Sequence, residues 1–250
     1  SYTANWTYSA TPSITRSDYN TFTYSATAGS SYFVSTSQST APSASASGWT
    51  TSTTTGDLTL SATGTYYVWV KDANGNVSAN KATIAIRKVE RSVGTGTTLT
   101  TKYESSSGTA FTASPVYVLN GTPIYVSAAL KTGYESLTLK NGSGTAITNN
   151  TTHNATGDLK FVTGATESTY TITYTMNSGT NASGNPSSYK VTTNTITLAD
   201  PSRSGYTFNG WTGSNGTTPQ KGVQIAKGST GNKSYTANWT YSATPSITRS

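Results

Sequence analysis

A segment of seventeen residues occurs twice in this chain without a single change. It reads SYTANWTYSATPSITRS and occupies residues 1–17 and again residues 234–250. An identical segment of this length predicts a tandem array whose unit runs from residue 1 to residue 233. Such a unit is far longer than a solenoid repeat, so it must contain whole domains. Arrays of independent domains provide length, stiffness and multivalency, which favours a mechanical or adhesive role over catalysis.

The composition predicts small β-sheet domains with aromatic cores. Only 33% of the residues are hydrophobic and only 10% are charged, whereas Ser, Thr, Asn and Gly are abundant. Each of the 17 Tyr and 5 Trp side chains can bury a large area, so a few of them can hold a small domain together. Thr favours strands, and the 23 glycines supply turns. We therefore predict an ordered, all-β chain of tandem small domains rather than a disordered stalk.

Charge and cysteine content limit the classes of partner and site. The net charge is +7, but the basic residues are scattered and only Arg87, Lys88 and Arg91 form a tight group. We interpret this group as a solvated domain junction and expect no nucleic-acid partner. The chain has no Cys, which excludes disulfides and thiolate metal sites. It has no apolar run of membrane-spanning length, and we expect a signal peptide and a wall anchor to lie outside this sequence.

The first domain is predicted over residues 11–87, after a strand at residues 1–10 that would complete a preceding copy. A strong strand, Tyr66–Val70, is followed by turn residues and by a return strand at Lys81–Ile86. The segment YYVWVKDANGNVS resembles a bacterial immunoglobulin-like domain. This resemblance implies a β-sandwich, and we place Trp69 in its core.

The turn of that hairpin also resembles the start of a calcium-binding loop. Asp72, Asn74 and Asn76 have the spacing of the first ligands, but no Glu follows at the required position. A hairpin turn is therefore favoured, and we predict no metal site.

The second domain is predicted over residues 88–165. The segments Val116–Leu119 and Ile124–Ala128, joined by a turn, predict a hairpin. The polar segment Asn149–Gly157 predicts a loop. The sequence Lys131–Tyr134 echoes a motif of the next domain, so we expect a divergent β-grasp-like relative.

The third domain, residues 166–241, carries the most specific motifs. Tyr170–Met176 alternates between apolar and Thr residues, which predicts a strand with one buried face. GYTFNGW at residues 205–211 and YTANW at residues 235–239 follow in this order. The series closely resembles the Listeria–Bacteroides repeat, a family known from internalin-type bacterial surface proteins. The resemblance implies a β-grasp-like fold and a place in cell-surface stalks and adhesins.

The large side chains of these motifs are the predicted core of the third domain. They are Tyr206, Phe208, Trp211, Tyr235 and Trp239. The alternative is that some of these rings are exposed and stack on sugars. Gly205 and Gly210 are expected to relieve the backbone at a turn or bulge. The family often has paired glycines after its first strand, where this chain has Ser178-Gly179.

No catalytic constellation is apparent. The only histidine, His153, lies in a polar segment, and Asp158 is the nearest carboxylate in sequence. No nucleophile-elbow motif or phosphate loop accompanies them. A Lys–Asn isopeptide crosslink involving Lys190 or Lys221 remains open, because spacing alone cannot pair them with an Asn. We expect neither an enzyme nor a cofactor.

These observations predict a stalk or fibre segment of a large tandem-repeat protein on a bacterial cell surface, such as an adhesin. One alternative is a module that binds a glycan or a host protein, and another is a subunit of an assembling filament or sheath. Residues 242–250 would begin the next repeat. Because few residues separate Trp239 from Pro245, and Tyr241 can pack across this junction, a stiff joint between repeats is expected.

Overall fold

The computed structural model describes residues 8–18, 21–25, 31–37, 39–51 and 55–242. Strands and no helices occur in these ranges, so the chain is all-β, as predicted. The predicted strand at residues 1–10 and the predicted joint at residues 242–250 lie mostly outside the described residues. Two compact units divide the chain: residues up to 129 with residues 138–164, and residues 130–137 with residues 165 onward.

The first unit begins with two antiparallel sheets that form a sandwich. Their strands are β1 (Ser13–Arg16), β2 (Thr21–Ser25), β3 (Ser31–Ser35), β4 (Thr50–Thr51), β5 (Thr55–Thr59), β6 (Gly64–Lys71) and β7 (Ala82–Ser92). The order in one sheet is β1-β2-β5, and β7, β6, β3 and β4 are neighbours in the other. Apolar side chains from both sheets share one core: Phe22, Tyr24, Leu58, Leu60, Tyr66, Val68, Ile84 and Ile86. The hairpin predicted from Tyr66 to Ile86 is confirmed, because β6 and β7 pair antiparallel.

The next seven strands extend the β7-β6-β3-β4 sheet and form one further sheet. They are β8 (Thr97–Tyr103), β9 (Ala110–Phe111), β10 (Val116–Leu119), β11 (Pro123–Leu130), β12 (Tyr134–Lys140), β13 (Thr151–Asn154) and β14 (Leu159–Glu167). One sheet has the order β12-β14-β7-β6-β3-β4, with β10 also pairing with β7, and another has the order β13-β11-β8-β9. The predicted boundary at residues 87 and 88 falls inside β7. This strand pairs with β6 of the predicted first domain and with β10 and β14 of the predicted second domain. The division into three domains stays a prediction.

Two local predictions for the segment from β10 to β13 are wrong. The segments 116–119 and 124–128 do not form a hairpin, because β10 pairs with β7 whereas β11 pairs with β13. The predicted turn between them is present, with Thr122 N–H bonded to Leu119 O. It connects β10 and β11, which belong to different sheets. The predicted loop 149–157 contains β13, whose polar residues form a strand because β11 offers them a backbone partner.

The second unit contains a five-stranded sheet and a small two-stranded one. Its strands are β15 (Thr169–Thr175), β16 (Ser188–Lys190), β17 (Ile196–Thr197), β18 (Tyr206–Gly213), β19 (Gly216–Gln220), β20 (Gln224–Ile225) and β21 (Lys233–Tyr241). The order is β16-β15-β21-β18-β19, and β17 pairs with β20. The strand predicted at Tyr170–Met176 is confirmed, with Ile172 buried and the Thr side chains exposed.

Candidate functional site

The first and last strands of the second unit lie side by side and run in the same direction. Thr175 of β15 is in register with Thr236 of β21, and Ile172 is in register with Lys233, with two further pairs between them. Strand β21 also pairs antiparallel with β18, so it lies inside the sheet. We call β15 and β21 the terminal strand pair of the region 166–241.

A side chain extends this strand pair by one hydrogen bond. Asn232, directly before β21, accepts a bond on Oδ1 from Thr171 N–H at 2.9 Å. The Thr173 hydroxyl donates to Lys233 O at 3.3 Å on the same seam. The start of the parallel ladder is therefore closed by an amide oxygen rather than left to solvent.

The region 88–165 contains a second terminal strand pair of the same kind. Strands β7 and β14 pair in parallel from Val89 with Leu159 to Ser92 with Val162. Asp158, directly before β14, accepts a hydrogen bond on Oδ1 from Lys88 N–H at 2.9 Å. Asp158 and Asn232 thus have the same place and the same bond in the two regions. Sequence reasoning missed both roles, although each residue stands three positions before a buried ring, Phe161 or Tyr235.

Four of the six predicted core rings are buried. Trp69 is buried in the first unit, and Phe208, Trp211 and Tyr235 are buried in the second. Trp211 packs edge-to-face against Phe208 at 5.3 Å between ring centroids. Phe208, Trp211 and Tyr235 lie on β18 and β21, so this core packs directly beneath the terminal strand pair.

The other two predicted core rings, Tyr206 and Trp239, are only half-buried. Trp239 packs on Phe208 at 5.4 Å and donates a hydrogen bond from Nε1 to Met176 O at 3.0 Å. Tyr206 lies beyond the core, where the Arg203 guanidinium is 3.6 Å from its ring centroid. Tyr206 and Tyr241 are register partners, and their rings meet edge-to-face at 5.3 Å.

The predicted backbone role of Gly210 is confirmed. The register between β18 and β21 shifts at Phe208 and Gly210, and Gly210 has a φ of 140°. A Cβ at this position would lie 2.4 Å from Gln220 N of the neighbouring strand. Glycine is therefore needed both for the bulge and for the close approach of β19.

Burial changes the acidity of the tyrosines around this core. Burial raises the pKa of Tyr174 to about 12, with a smaller contribution from Tyr235. The Tyr174 hydroxyl donates to Pro186 O at 3.0 Å. Burial also raises the pKa of Tyr189 and of Tyr235. These tyrosines belong to the packing of the second unit.

His153 and Asp158 make contacts with different groups. The His153 ring lies 5.6 Å from the Phe161 ring, and its Nε2 is 3.1 Å from Thr148 O. Asp158 instead contacts Lys88 N–H and the Thr63 hydroxyl. Within the described ranges, no group of three His, Cys, Asp or Glu side chains is placed to hold a metal ion.

Asp72, Asn74 and Asn76, which have the spacing of the first calcium ligands, form a hydrogen-bonded turn. Asp72 Oδ1 accepts bonds from the Asn74 and Asn76 N–H groups, and Asp72 Oδ2 accepts one from Asn76 Nδ2. These bonds, the Asn76 side chain foremost, lower the pKa of Asp72. Asn141 builds a similar turn by accepting bonds from the Ser143 and Thr145 N–H groups.

The basic group is engaged within the first unit. Arg87 Nε donates to Asn120 Oδ1 at 2.8 Å, and Lys88 Nζ is 3.4 Å from Glu90 Oε1. The Arg91 guanidinium donates to Thr112 O and to a second carbonyl, and its burial lowers the pKa of Arg91. These contacts give the group a structural role.

The lysines considered for an isopeptide crosslink lie at the surface. Lys190 is exposed, and the exposed Lys221 has its Nζ 3.8 Å from Asp200 Oδ2. In the part of the chain that the structure describes, no helix has the length and hydrophobicity to cross a bilayer.

Comparisons with known proteins found no match. No protein-family model, no curated protein and no solved structure matches the chain. The resemblances to the Listeria–Bacteroides repeat and to a bacterial immunoglobulin-like domain therefore rest on the residues quoted for them and remain predictions.

Proposed function

We propose that this chain is a load-bearing stalk or fibre segment of a large tandem-repeat protein on a bacterial cell surface, such as an adhesin. The observation that carries the proposal is the parallel pairing of the first and last strands in the region 166–241. The exact repeat of residues 1–17 at 234–250 supports a tandem array. In such an array, tension along the chain enters the region 166–241 through its first strand, β15, and its last strand, β21.

The direction of the strands decides how the seam responds to tension. A pull on the start of β15 and on the end of β21 acts at opposite ends of a parallel pair. The four register pairs from Ile172–Lys233 to Thr175–Thr236 are then loaded together in shear. Peeling the strands apart from one end would instead break the pairs one after another. Shear therefore gives a higher barrier, and forced unfolding is governed by the unfolding rate.

The experiment is force spectroscopy on the 250-residue chain with two attachment geometries. The chain has no native Cys, so a pair of introduced cysteines gives unique attachment points. Attachment at Thr169→Cys and Thr240→Cys pulls the strand pair in shear. Attachment at Thr169→Cys and Lys233→Cys loads the same strands from one end.

We expect a clearly higher unfolding force for the shear geometry than for the peeling geometry. Chemical denaturation of the two double variants should give equal stability, so that only the direction of pulling differs. Equal unfolding forces in both geometries would contradict a load-bearing role for the terminal strand pair.

The two alternative functions have less support. Trp211 is fully buried, so it does not offer a stacking surface for a sugar. Filament assembly by strand addition needs an open sheet edge. At the edges of the five-stranded sheet, β16 has three residues, and β19 carries Pro219, which has no N–H to donate.

A further inference from the structure

The end of β21 presents an aromatic ring and one peptide group in a defined position. Ser242 N–H donates to Gly205 O at 2.9 Å, which fixes the peptide group between Tyr241 and Ser242 against the second unit. The Tyr241 ring packs on Tyr206 but remains 66% exposed. Arg203 covers Tyr206. One face of Tyr241 is thus held by the second unit and much of the ring is open.

The identical sequence near the start of the chain shows what else this segment contacts. Tyr8 and Thr11 are the counterparts of Tyr241 and Thr244 in the repeated segment. Tyr8 O accepts a hydrogen bond from Ala79 N–H at 3.1 Å. The Thr11 hydroxyl accepts one from Asn80 Nδ2 at 3.1 Å. The loop at Ala79–Asn80, in the connection between β6 and β7, therefore binds the segment from Tyr8 to Thr11.

The two sets of contacts use opposite sides of one peptide group. Ser242 N–H is bonded to the unit before it, whereas the carbonyl of the equivalent tyrosine, Tyr8 O, is bonded to the unit after it. In a trans peptide the N–H and the C=O point in opposite directions, so both bonds can form at once. The two contacts are compatible in a continuous array.

We infer that the peptide group Tyr241–Ser242 is the joint between successive repeats, held by Gly205 of one repeat and by the Ala79–Asn80 loop of the next. The Tyr8 side chain is half-buried, whereas its counterpart Tyr241 is exposed, so a second copy of this sequence on the same polypeptide would cover the Tyr241 ring. This inference rests on the proposed tandem stalk and adds the contact that sets its stiffness. No free linker residue separates the two anchoring bonds, so the angle between repeats is restricted.

The test uses a chain of two complete repeats with two spin labels. The labels are attached to cysteines at Thr217 of the first repeat and at the second repeat's counterpart of Ala73, both of which are exposed. Pulsed electron paramagnetic resonance then gives the distribution of distances across the joint. We expect a narrow distribution for the unsubstituted chain.

The matched substitutions are Tyr241→Ala at the joint and Tyr8→Ala at the start of the first repeat. They change the same residue in the same sequence, but only Tyr241 lies between two repeats. Tyr241→Ala should broaden the distance distribution, whereas Tyr8→Ala and Tyr241→Phe should leave it narrow. Circular dichroism melting checks that every variant is folded.

The inference is overturned if the unsubstituted chain gives a broad distribution, or if Tyr241→Ala leaves the distribution narrow. In the second case the Tyr206 and Tyr241 rings are not what fixes the joint. Either outcome leaves the shear experiment on β15 and β21 unaffected, so a failed joint and a failed load-bearing role are distinguishable. A high shear force with a broad distribution would describe a strong stalk with flexible joints.

Discussion

The regions 88–165 and 166–241 place their first and last strands in the same way but fill their cores differently. Both pair these strands in parallel, and both close the ladder with an Asx side chain, Asp158 or Asn232. The region 166–241 buries Trp211 beneath its pair, whereas the region 88–165 buries mainly aliphatic residues and threonines there. The strand arrangement is therefore fixed by a few backbone positions rather than by one set of core side chains.

A second shared position lies at the strand next to the last one. Strand β12 begins at Tyr134 directly after Gly133, and β18 begins at Tyr206 directly after Gly205. Both glycines have a positive φ, 86° and 74°. The sequence similarity between Lys131–Tyr134 and the GYTFNGW motif thus reflects a shared backbone feature. In both, a glycine in the left-handed conformation directly precedes a strand.

A set of buried hydrogen bonds between polar groups distinguishes the region 88–165 from the region 166–241. The Thr97 and Thr163 hydroxyls are 2.6 Å apart in the interior, and Gly94 N–H donates to the Thr163 hydroxyl at 3.1 Å. A Cβ on Gly94 would lie 2.3 Å from Thr163 O. Two hydroxyls and a glycine thus hold the middle of β14, the strand that corresponds to β21. A buried polar contact of this kind is stabilising only while every member is bonded.

The largest expected loss of stability comes from replacing one large buried ring in each of the two units by alanine. Trp211→Ala should lower the free energy of unfolding of the second unit by about 3–5 kcal/mol, because a large buried ring is lost. Phe161→Ala should cost the first unit a similar amount. Native-state hydrogen exchange, read amide by amide, should show each loss only in the unit that carries the substitution. A loss spread equally over both units would mean that their cores are not independent.

The sequence predicts the fold well where local pattern and strand partner agree. The alternation at Tyr170–Met176 and the hairpin from Tyr66 to Ile86 were predicted correctly, because each buries its apolar face in the expected way. The segments 116–128 and 149–157 were predicted incorrectly, because their partners β7 and β11 are chosen by the sheet and not by adjacent residues. Strand partners are non-local, and a local pattern does not encode them.

The candidate site follows the same rule. The core rings could be named from the motifs, since aromatic residues in alternating strands are usually buried. Asp158 and Asn232 could not be assigned, because their bonding partners Lys88 and Thr171 lie far away in the sequence. Only the parallel pairing of the first and last strands brings these residues together.

The second expected effect tests the shared glycines. Gly133→Ala should be more destabilising than Gly205→Ala, although both force an alanine into the left-handed region. A Cβ on Gly133 would lie 2.7 Å from Val191 Cβ, whereas a Cβ on Gly205 would meet only Tyr241 Cε2 at 3.9 Å. Gly205→Ala should cost about 1–2 kcal/mol from backbone strain alone, and Gly133→Ala a further 1–3 kcal/mol, roughly, from overpacking. Urea unfolding measures both, and equal costs would contradict the packing argument.

The third effect tests the shared Asx side chains. Asn232→Ala should cost about 0.5–1.5 kcal/mol, the usual value for one hydrogen bond. Asp158→Ala should cost somewhat more, because the Asp158 carboxylate also accepts a bond from the Thr63 hydroxyl. The swaps Asp158→Asn and Asn232→Asp keep an acceptor oxygen and should cost less. Thermal melting compares the four variants, and Asn232→Ala, which lies in the β15–β21 ladder, should also lower the shear unfolding force measured between Thr169 and Thr240. Swaps as costly as the Ala variants would show that the hydrogen bond is not what these positions contribute.

The fourth effect concerns alkaline pH and belongs to the second unit. The pKa of Tyr174 is about 12 in the folded unit, above the ordinary value of about 10 for an unfolded chain. The folded state therefore holds this proton more tightly, and stability falls as pH rises from about 10 toward 12. Tyr174→Phe should reduce this loss, which urea midpoints measured across that pH range will show. Tyr189 and Tyr235 should preserve part of the pH dependence, because burial raises the pKa of each.

The smallest expected effect lies at the turn after β15, at Asn177 and Ser178. Ser178 is exposed and has a φ of 66°, a left-handed conformation that strains a residue with a Cβ. Ser178→Gly should therefore stabilise the second unit by roughly 0.5–1 kcal/mol, since relief of strain outweighs the greater freedom of glycine in the unfolded chain. Asn177 also has a positive φ, 48°, but its Nδ2 donates to Ala237 O at 3.0 Å, so Asn177→Gly should destabilise. Opposite signs for these two adjacent substitutions in thermal melting would separate backbone strain from a hydrogen bond to the last strand. A loss of stability in Ser178→Gly would show that the serine contributes more than its strained backbone costs.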